Sequence, residues 1–313
     1  MTDNGEDPLA AVVFPGMGPT RYQDVAEFMA HDPVARRLVA VADEALGYSL
    51  RERYQETEGD YSPVAQVAFM VNCVAFAEWA EERMDARPAL CVGPSFGAKA
   101  AAAYSGALDL ADAVRLTERL ALLMEDYFRT AHQDLVTLSF VRLPAERLAE
   151  LQGEIDALGE WHDLACTLDE DFFMLTVAER RVEWLSTRLR SLGAMPLYTM
   201  RPPMHSEVFA PLRARAAAEV VDGLTFHPPR LPLVSDHDGG LVDTADGVRT
   251  LLLDGFVRRL HWPTVVSALR AAEVRRLWVA GQDSLFGRVP ATLRNFTVTP
   301  VNARLVKKAT APT

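Results

Sequence analysis

The segment that most constrains this chain is an apolar run that leads through Gly-Pro-Ser-Phe-Gly into an alanine-rich stretch. Ala89–Val92 predicts a short strand, Gly93–Gly97 a tight turn and Ala98–Tyr104 a helix. A serine in the middle of such a turn has its hydroxyl exposed at the helix N-terminus, where backbone N–H groups stabilise a developing oxyanion. We therefore predict that Ser95 is a nucleophile. The alternative is a glycine-rich turn whose serine has no chemical role.

The chain divides into two kinds of region. Towards both ends, short apolar strands alternate with helical segments, which favours one large α/β domain. The middle of the chain has three segments with strand patterns, separated by two helical segments: Leu135–Val141, Phe172–Val177 and Met195–Met200. That order favours a small ferredoxin-like α+β insertion. The predicted domains are residues 1–129 with 201–313, and the inserted residues 130–200.

Composition excludes some classes of partner. The 313 residues are 49% hydrophobic, which is enough to bury a substantial core. With 32 Lys and Arg against 43 Asp and Glu, the net charge of −11 repels a phosphate backbone, so we predict no nucleic-acid partner. The most apolar segment, Val64–Ala80, contains Gln66, Asn72 and Glu78. It is therefore predicted to be a buried core helix, and no membrane association is expected.

The cysteines and histidines give no sign of a metal site. Cys73, Cys91 and Cys166 are widely spaced within apolar runs, which is typical of small buried hydrophobic side chains. Free cysteines favour a reducing compartment, and we expect a cytoplasmic protein. Histidines and carboxylates are never paired at metal-ligand spacing, so no bound metal is predicted.

A serine nucleophile needs a base, and the chain has seven histidines. Six of them lie in polar or linker-like surroundings, whereas His205 follows Pro202-Pro203, where the insertion returns to the large domain. Sequence position alone does not decide whether His205 is catalytic or structural.

Four motifs together resemble the malonyl-CoA:acyl-carrier-protein transacylase family, which includes the acyltransferases of fatty-acid and polyketide synthesis. They are Phe14-Pro-Gly-Met-Gly18, Gly93-Pro-Ser-Phe-Gly97, Ala111-Asp-Ala-Val-Arg-Leu116 and Met204-His-Ser206, and the resemblance covers about residues 9 to 300. It implies a hydrolase-like α/β domain with a parallel sheet and a ferredoxin-like insertion.

The resemblance also implies the catalytic groups. The family's Ser–His pair falls on Ser95 and His205, and its oxyanion hole falls on the backbone N–H groups of Phe96 and Met17. Met17 stands where the family usually has Gln, and a backbone N–H does not depend on that side chain. The carbonyl that orients the histidine falls in the loop Gly281–Gln282, although this loop lacks the family's Gly-Pro-Gly.

Departures from the family pattern bear on the acyl pocket. Gln66 in Gln-Val-Ala resembles the family's Gln-Pro-Ala and is expected to line the pocket, whereas Pro94 replaces the usual His before the serine. Members that take malonyl groups bind the free carboxylate with an Arg, and Leu120 falls at that position. Arg119 is adjacent, but consecutive helical residues point about 100° apart. Met204 replaces an aromatic residue, and its flexible thioether suits a larger acyl group as well as simple packing.

The resemblance thus implies an acyltransferase for a non-carboxylated acyl group, for example a starter or aminoacyl unit. An acyl-Ser95 ester would form, and the acyl group would pass to the phosphopantetheine thiol of an acyl carrier protein or polyketide synthase carrier domain. The donor would be acyl-CoA or another acyl carrier protein, and no bound cofactor is expected. Some discrete members of the family in polyketide pathways for antibiotics, including macrolactam pathways, shuttle starter or aminoacyl units between carriers, and this chain resembles them in lacking the carboxylate Arg.

Three other functions remain open at this point. They are an editing hydrolase that uses water, an ordinary malonyl-CoA transacylase, and a non-catalytic module that binds carrier proteins; the presence of Ser95 and His205 disfavours the last. Carrier proteins of this family are acidic, so docking on an acidic enzyme requires local basic residues. The candidates are Arg201, Arg142 and Arg294, and we expect a monomer.

Overall fold

The structure is a computed structural model that describes residues 9–59 and 61–310. The predicted domain limits at residues 1 and 313 lie outside the described residues. The described strands are β1 (Ala10–Val13), β2 (Pro88–Val92), β3 (Leu135–Val141), β4 (His162–Asp169), β5 (Phe172–Ala178), β6 (Met195–Met200), β7 (Leu233–Val234), β8 (Leu241–Val242), β9 (Leu260–His261), β10 (Arg276–Ala280) and β11 (Thr297–Val301).

Helices connect these strands and cover the sheets. The described α-helices are α1 (Tyr22–His31), α2 (Pro33–Leu46), α3 (Leu50–Glu56), α4 (Pro63–Met84), α5 (Gly97–Tyr104), α6 (Leu110–Thr130), α7 (Ala145–Ala157), α8 (Val182–Ser191), α9 (Ala210–Ala216), α10 (Ala245–Val257), α11 (Trp262–Ala271), α12 (Pro290–Leu293) and α13 (Ala303–Thr310). A π-helical turn, Ala217–Val221, extends α9.

The larger sheet has the strand order β11-β10-β1-β2-β7-β8, and all of its pairs are parallel except β7 with β8. The central strand β1 is apolar throughout because both of its faces are covered. Val12 belongs to the core on the side of α4, whereas Ala11 and Val13 belong to the core on the side of α11. Parallel strands place their carboxyl ends at one edge, and β1 and β2 both lead there into loops of the site.

Helix α4 is buried along most of its length. The Ser62 Oγ accepts a hydrogen bond from the Ala65 N–H at 3.1 Å, and Pro63 occupies the first helical position, which suits the start of a helix. By length and composition α4 could cross a membrane, but 83% of its most apolar window is buried inside the protein. The prediction of a core helix is confirmed, and the three cysteines are free and buried as predicted.

The second sheet has the order β6-β3-β5-β4-β9. Strands β3 to β6 with α7 and α8 form a β-α-β-β-α-β unit, and its neighbouring strands pair antiparallel. Three of these strands are predicted from the sequence, whereas β4 is not, because it begins with polar residues and joins β5 through only Glu170 and Asp171. Strand β9, from outside the insertion, adds in parallel to β4. The predicted α/β fold with a parallel core sheet and a small subdomain is confirmed.

Candidate active site

The turn between β2 and α5 requires glycine at both ends because other backbone atoms approach closely. A Cβ on Gly93 would lie 2.4 Å from the Gly97 carbonyl oxygen, and a Cβ on Gly97 would lie 1.9 Å from the Phe14 carbonyl oxygen. Ser95 sits between them with φ of 54°, in the left-handed region. The crowded turn therefore holds the serine away from the sheet, at the start of α5.

Ser95 and His205 lie within hydrogen-bond distance, with 2.8 Å between Ser95 Oγ and His205 Nε2. The His205 Nδ1 lies 3.1 Å from the backbone carbonyl oxygen of Arg258. A carbonyl oxygen can only accept, so Nδ1 carries the proton and donates it to this bond. The unprotonated Nε2 is then free to accept the proton of the Ser95 hydroxyl.

His205 is buried, and its surroundings act on its pKa in both directions. Burial lowers the pKa below the usual 6.5, because the protein interior disfavours the charged ring. The negative charge of Asp236 and the hydrogen bond to the Arg258 carbonyl raise it, and His237 lowers it. The net direction is downward, so His205 is a neutral base at physiological pH.

The predicted position of the carbonyl that orients His205 is wrong. Gly281 and Gln282 line a different cavity of about 700 Å³. Gly281 is packed there so closely that a Cβ would lie 2.6 Å from the Cys73 Sγ. The carbonyl that faces His205 belongs to Arg258, which follows the last residue of α10. A backbone carbonyl has no side-chain signature, so the residues alone could not identify it.

Asp236 is a residue of the site that sequence reasoning missed. It is 3% exposed, and its Oδ2 accepts a hydrogen bond of 2.7 Å from the Ser95 backbone N–H. Its Oδ1 lies 3.4 Å from His237 Nε2, and His237 Nδ1 lies 3.1 Å from the carbonyl oxygen of Arg259. The available signal was an Asp-His pair that begins two residues after β7, at the carboxyl edge of the parallel sheet.

A cavity of about 530 Å³ opens beside Ser95 and is mainly apolar. Helix α6 contributes Leu120, Met124 and Phe128, and α10 contributes Leu252 and Phe256. Seven of the predicted site residues line this cavity: Met17, Gln66, Ser95, Phe96, Leu120, Arg201 and Met204. Gln66 is buried, and its Nε2 donates to the Tyr61 carbonyl oxygen at 2.9 Å.

Pro94 was predicted in the pocket, and this prediction is wrong. Its side chain is buried in the turn and does not line the cavity. The Pro94 carbonyl accepts a hydrogen bond of 3.0 Å from the Gly97 N–H, which fixes the residue within the turn itself.

Helix α6 separates Leu120 and Arg119 as its periodicity requires. Leu120 is 2% exposed and lines the cavity. Arg119 is exposed, and its guanidinium donates to the backbone carbonyl of Glu219, away from the cavity. The arginine next to Leu120 therefore does not supply a cation to this part of the cavity wall.

Lys99 is, after Asp236, a second residue of the site that was not predicted from the sequence, and it lines the cavity. It is half-buried on α5, and its Nζ lies 4.0 Å from the centre of the Phe96 ring. Burial lowers the pKa of this lysine to about 7, because an ammonium loses its hydration there. An aromatic face attracts a cation but does not replace water as an anionic partner would.

The three predicted docking arginines are all exposed. Arg201 lines the mouth of the cavity and forms an ion pair with Glu179. The Arg294 Nη2 lies 3.5 Å from Asp169 Oδ1, and Arg142 lies at the end of β3. Within the part of the chain that the structure describes, no group of three or more metal-ligating side chains is placed to hold a metal ion.

The fold and the site define an acyltransferase with a Ser–His pair, an α/β core and an inserted small subdomain. The malonyl CoA-acyl carrier protein transacylase of Haemophilus influenzae is 30% identical over 266 residues, which are 83% of this chain and 84% of the relative. The corresponding Escherichia coli K12 enzyme is 25% identical over 277 residues, or 87% of this chain and 88% of the relative. The chain belongs to the malonyl-CoA:acyl-carrier-protein transacylase family.

Further comparisons concern the small subdomain and the fold. Residues 139–200 match the family described as the VinK acyltransferase small domain. A malonyl-transacylase solved in complex with a type II polyketide synthase acyl-carrier protein superposes with a TM-score of 0.83 at 23% identity, covering 96% of this chain and 98% of that one. The acyltransferase domain from the second module of the salinomycin polyketide synthase has a TM-score of 0.79 at 24% identity, covering 94% and 69%.

Proposed function

We propose that this chain is a discrete acyltransferase that moves a non-carboxylated acyl group through an acyl-Ser95 intermediate. The acceptor is the phosphopantetheine thiol of an acyl carrier protein, and the donor is an acyl-CoA or a second acyl carrier protein. The pathway is polyketide biosynthesis in the cytoplasm, with starter or aminoacyl units of macrolactam antibiotics as the acyl class. The match to the VinK acyltransferase small domain and the likeness to polyketide synthase acyltransferases support this assignment.

The observation that carries the choice of acyl group is the buried Leu120 in the cavity wall. In the family resemblance this position belongs to the Arg that binds a malonyl carboxylate. An Arg grips a carboxylate through two parallel hydrogen bonds, which an aliphatic side chain cannot replace. A buried carboxylate without its partner costs about 3–5 kcal/mol. With Arg119 turned to the Glu219 carbonyl, that part of the cavity favours an uncharged acyl chain.

The geometry of Ser95 and His205 fits a two-step transfer. His205 Nε2 accepts the Ser95 hydroxyl proton while Oγ attacks the thioester carbonyl, and the backbone N–H groups of Phe96 and Met17 stabilise the oxyanion. The carbon–sulfur bond then breaks, and the donor thiol leaves with the proton from His205. In the second step His205 takes the proton of the carrier thiol, whose sulfur attacks the ester. Ser95 leaves and recovers its proton.

Carrier-protein docking is proposed at the mouth of the cavity, beside the small subdomain. Arg201 lines this mouth and directly follows the edge strand β6. On that strand Met195, Leu197 and Tyr198 are exposed apolar side chains. An apolar edge with an arginine beside it is a suitable surface for a small acidic protein. Arg142 and Arg294 are weaker candidates for docking, because neither lines the cavity.

A second candidate function, ordinary malonyl transfer, is favoured by Lys99 and by the names of the curated relatives. The Lys99 Nζ lines the cavity, and a protonated ammonium there would attract a carboxylate. It is a single-point donor with a lowered pKa, however, and it lacks the planar fork of an arginine. The acyl preference therefore needs a direct competition.

The test is intact-mass analysis of the protein after exposure to malonyl and monocarboxylic acyl groups on the same thioester carrier. We expect the monocarboxylic ester on Ser95 to dominate. A malonyl ester as the main product would support ordinary malonyl transfer instead. Addition of holo carrier protein then separates transfer from hydrolysis. A transferase loses its acyl mass faster with carrier than without it, whereas an editing hydrolase loses it equally fast alone.

A further inference from the structure

Asp236 is a buried carboxylate at the centre of the site, and the two-step mechanism above does not use it. It lines the cavity, and its Oδ2 lies 2.7 Å from the Ser95 amide nitrogen. Buried carboxylates are costly unless they are paired and hydrogen-bonded. Its contacts should therefore correspond to a role.

One contact acts on the nucleophile. Ser95 has φ of 54°, so its N–H points out of the regular pattern of strand and helix and needs its own acceptor. The Asp236 carboxylate supplies that acceptor, and a charged acceptor makes a stronger bond than a neutral one. This bond fixes the turn in the conformation that directs Ser95 Oγ towards His205.

The second effect acts on His205, which becomes an imidazolium when it takes the serine proton. Its Nδ1 partner is the neutral carbonyl of Arg258, so no carboxylate is bonded to the ring. The charge of Asp236 favours the protonated ring, and His237 opposes it. The Arg258 guanidinium is engaged elsewhere, 2.8 Å from Asp238 Oδ2.

Two more charged groups complete the surroundings of the ring. Asp163, on β4, accepts a hydrogen bond of 2.5 Å from the hydroxyl of Ser206, the residue after His205. Lys99, on α5, lines the cavity beside Ser95. Of these groups, Asp236 is the carboxylate that is bonded to the nucleophile and also acts on the base.

We propose that Asp236 is a positioning residue for acyl transfer, whose carboxylate holds the Ser95 amide and stabilises the imidazolium of His205 through space. This role rests on the acyl transfer proposed above. The charge of Asp236 supplies electrostatic stabilisation that the neutral Arg258 carbonyl, the Nδ1 partner of His205, does not provide. The second oxygen of Asp236 lies 3.4 Å from His237 Nε2.

The test uses a fluorophosphonate probe, whose reaction with Ser95 is independent of the natural acyl group. Oγ forms a bond to phosphorus, fluoride leaves, and His205 takes the hydroxyl proton. Labelling rates are measured by intact mass from about pH 5 to 9, the range in which histidine titrates. The variant Asp236→Asn keeps the shape and an amide oxygen for the Ser95 N–H but removes the charge.

For Asp236→Asn we expect a labelling rate about tenfold lower on the plateau, the equivalent of one pKa unit of lost stabilisation. The acid limb of the pH profile should also move to lower pH, which a merely structural role would not produce. Asp243→Asn removes an exposed carboxylate and should change neither quantity. His237→Gln should move the acid limb the opposite way, to higher pH, and it serves as the second test if Asp236→Asn fails to fold.

The outcomes separate the two proposals. The role of Asp236 would be overturned if both Asp236→Asn and His237→Gln left the labelling rate and the midpoint of the acid limb unchanged. A wild type that reacts with the probe but forms no ester from any acyl thioester would overturn the proposed function and leave the role of Asp236 testable. A wild type that does not react with the probe at all would overturn both.

Discussion

Ser95 Oγ and His205 Nε2 lie 2.8 Å apart, and both residues have left-handed backbone conformations, with φ of 54° and 64°. A non-glycine residue in this region costs about 1–3 kcal/mol and persists only where its surroundings hold it. Here the Gly93 and Gly97 contacts hold one residue, and the Arg258 carbonyl holds the other. Both side chains are therefore held within hydrogen-bond distance by their own surroundings.

The first prediction concerns the nucleophile. Ser95→Ala should abolish acyl-enzyme formation and leave thermal stability close to wild type, because alanine keeps the Cβ and loses only Oγ. Intact mass after exposure to an acyl thioester measures the ester. Ser267→Ala removes an exposed hydroxyl on α11 and should load normally. An acyl mass retained in Ser95→Ala on another residue would contradict the assignment.

The second prediction concerns the base and its pH dependence. His205→Ala should slow acylation by at least about 10²-fold, the usual contribution of a positioned base. In the wild type, burial lowers the pKa of His205 below 6.5, so the rate should stay on its plateau at neutral pH and fall only below pH 6.5. The stability contributed by this group should likewise be lost as pH falls from 6.5 through the folded pKa. A rate that falls already above pH 7 would contradict the buried neutral base.

The third prediction concerns the cavity wall. Leu120→Arg should shift selectivity towards malonyl by about tenfold, the value of hydrogen bonds to a charged group. A buried Arg without its ligand destabilises the fold, so thermal stability must be followed in parallel. Arg119→Ala is the matched control, because its guanidinium binds a surface carbonyl and not the cavity. An equal shift in both variants would rule out a pocket effect.

The fourth prediction concerns docking. Arg201→Glu should raise the KM for carrier protein by roughly fivefold, as expected for one exposed charge pair, and should spare loading from a small thioester. Arg249→Glu reverses a half-buried arginine on α10 that forms an ion pair with Asp222, and it should leave the KM unchanged. Equal loss of loading and transfer in Arg201→Glu would indicate a structural role instead.

The fifth prediction concerns Lys99. Its pKa of about 7 in the folded protein is below the ordinary 10.5. Between these two pH values the unfolded chain therefore binds more protons than the folded protein does. The free energy of unfolding consequently falls as the pH falls from 10.5 to 7. Lys99→Met should therefore raise the Tm at pH 7 and have a smaller effect near pH 10. Lys308→Met, an exposed change on α13, should not show this dependence. The Tm at both pH values is the measurement.

Sequence reasoning predicted the parts of the fold that depend on local patterns. The strand–turn–helix around Ser95 and three strands of the small subdomain were found in this way, because apolar runs and glycines are visible in the residues themselves. Strand β4 was missed because its alternation is short and begins with His162 and Asp163. Helix α10 was missed too, and it carries Leu252 and Phe256 into the cavity wall.

The site was less predictable where it depends on tertiary contacts. Family resemblance pairs Ser95 with His205, but their catalytic roles stay predictions until they are measured. The carbonyl of Arg258 and the carboxylate of Asp236 reach the site through the folding of separate loops. The carbonyl has no local pattern, and the Asp-His pair after β7 does not by itself indicate which residues it contacts. Lys99 was passed over as one residue of an alanine-rich helix, although its place two residues after Gly97 puts it in the cavity.

The pairing of β9 with β4 has a structural consequence. The Arg258 carbonyl contacts His205, and the Arg259 carbonyl contacts His237. These two arginines directly precede β9. Strand β9 in turn pairs with Cys166 and Thr167 on β4 of the small subdomain. The Ser206 hydroxyl donates a hydrogen bond to Asp163, which also lies on β4. The small sheet is therefore connected to His205 at two points: the segment that carries its Nδ1 acceptor and the residue that follows it in the chain. The inserted subdomain is thus part of the scaffold that positions this histidine.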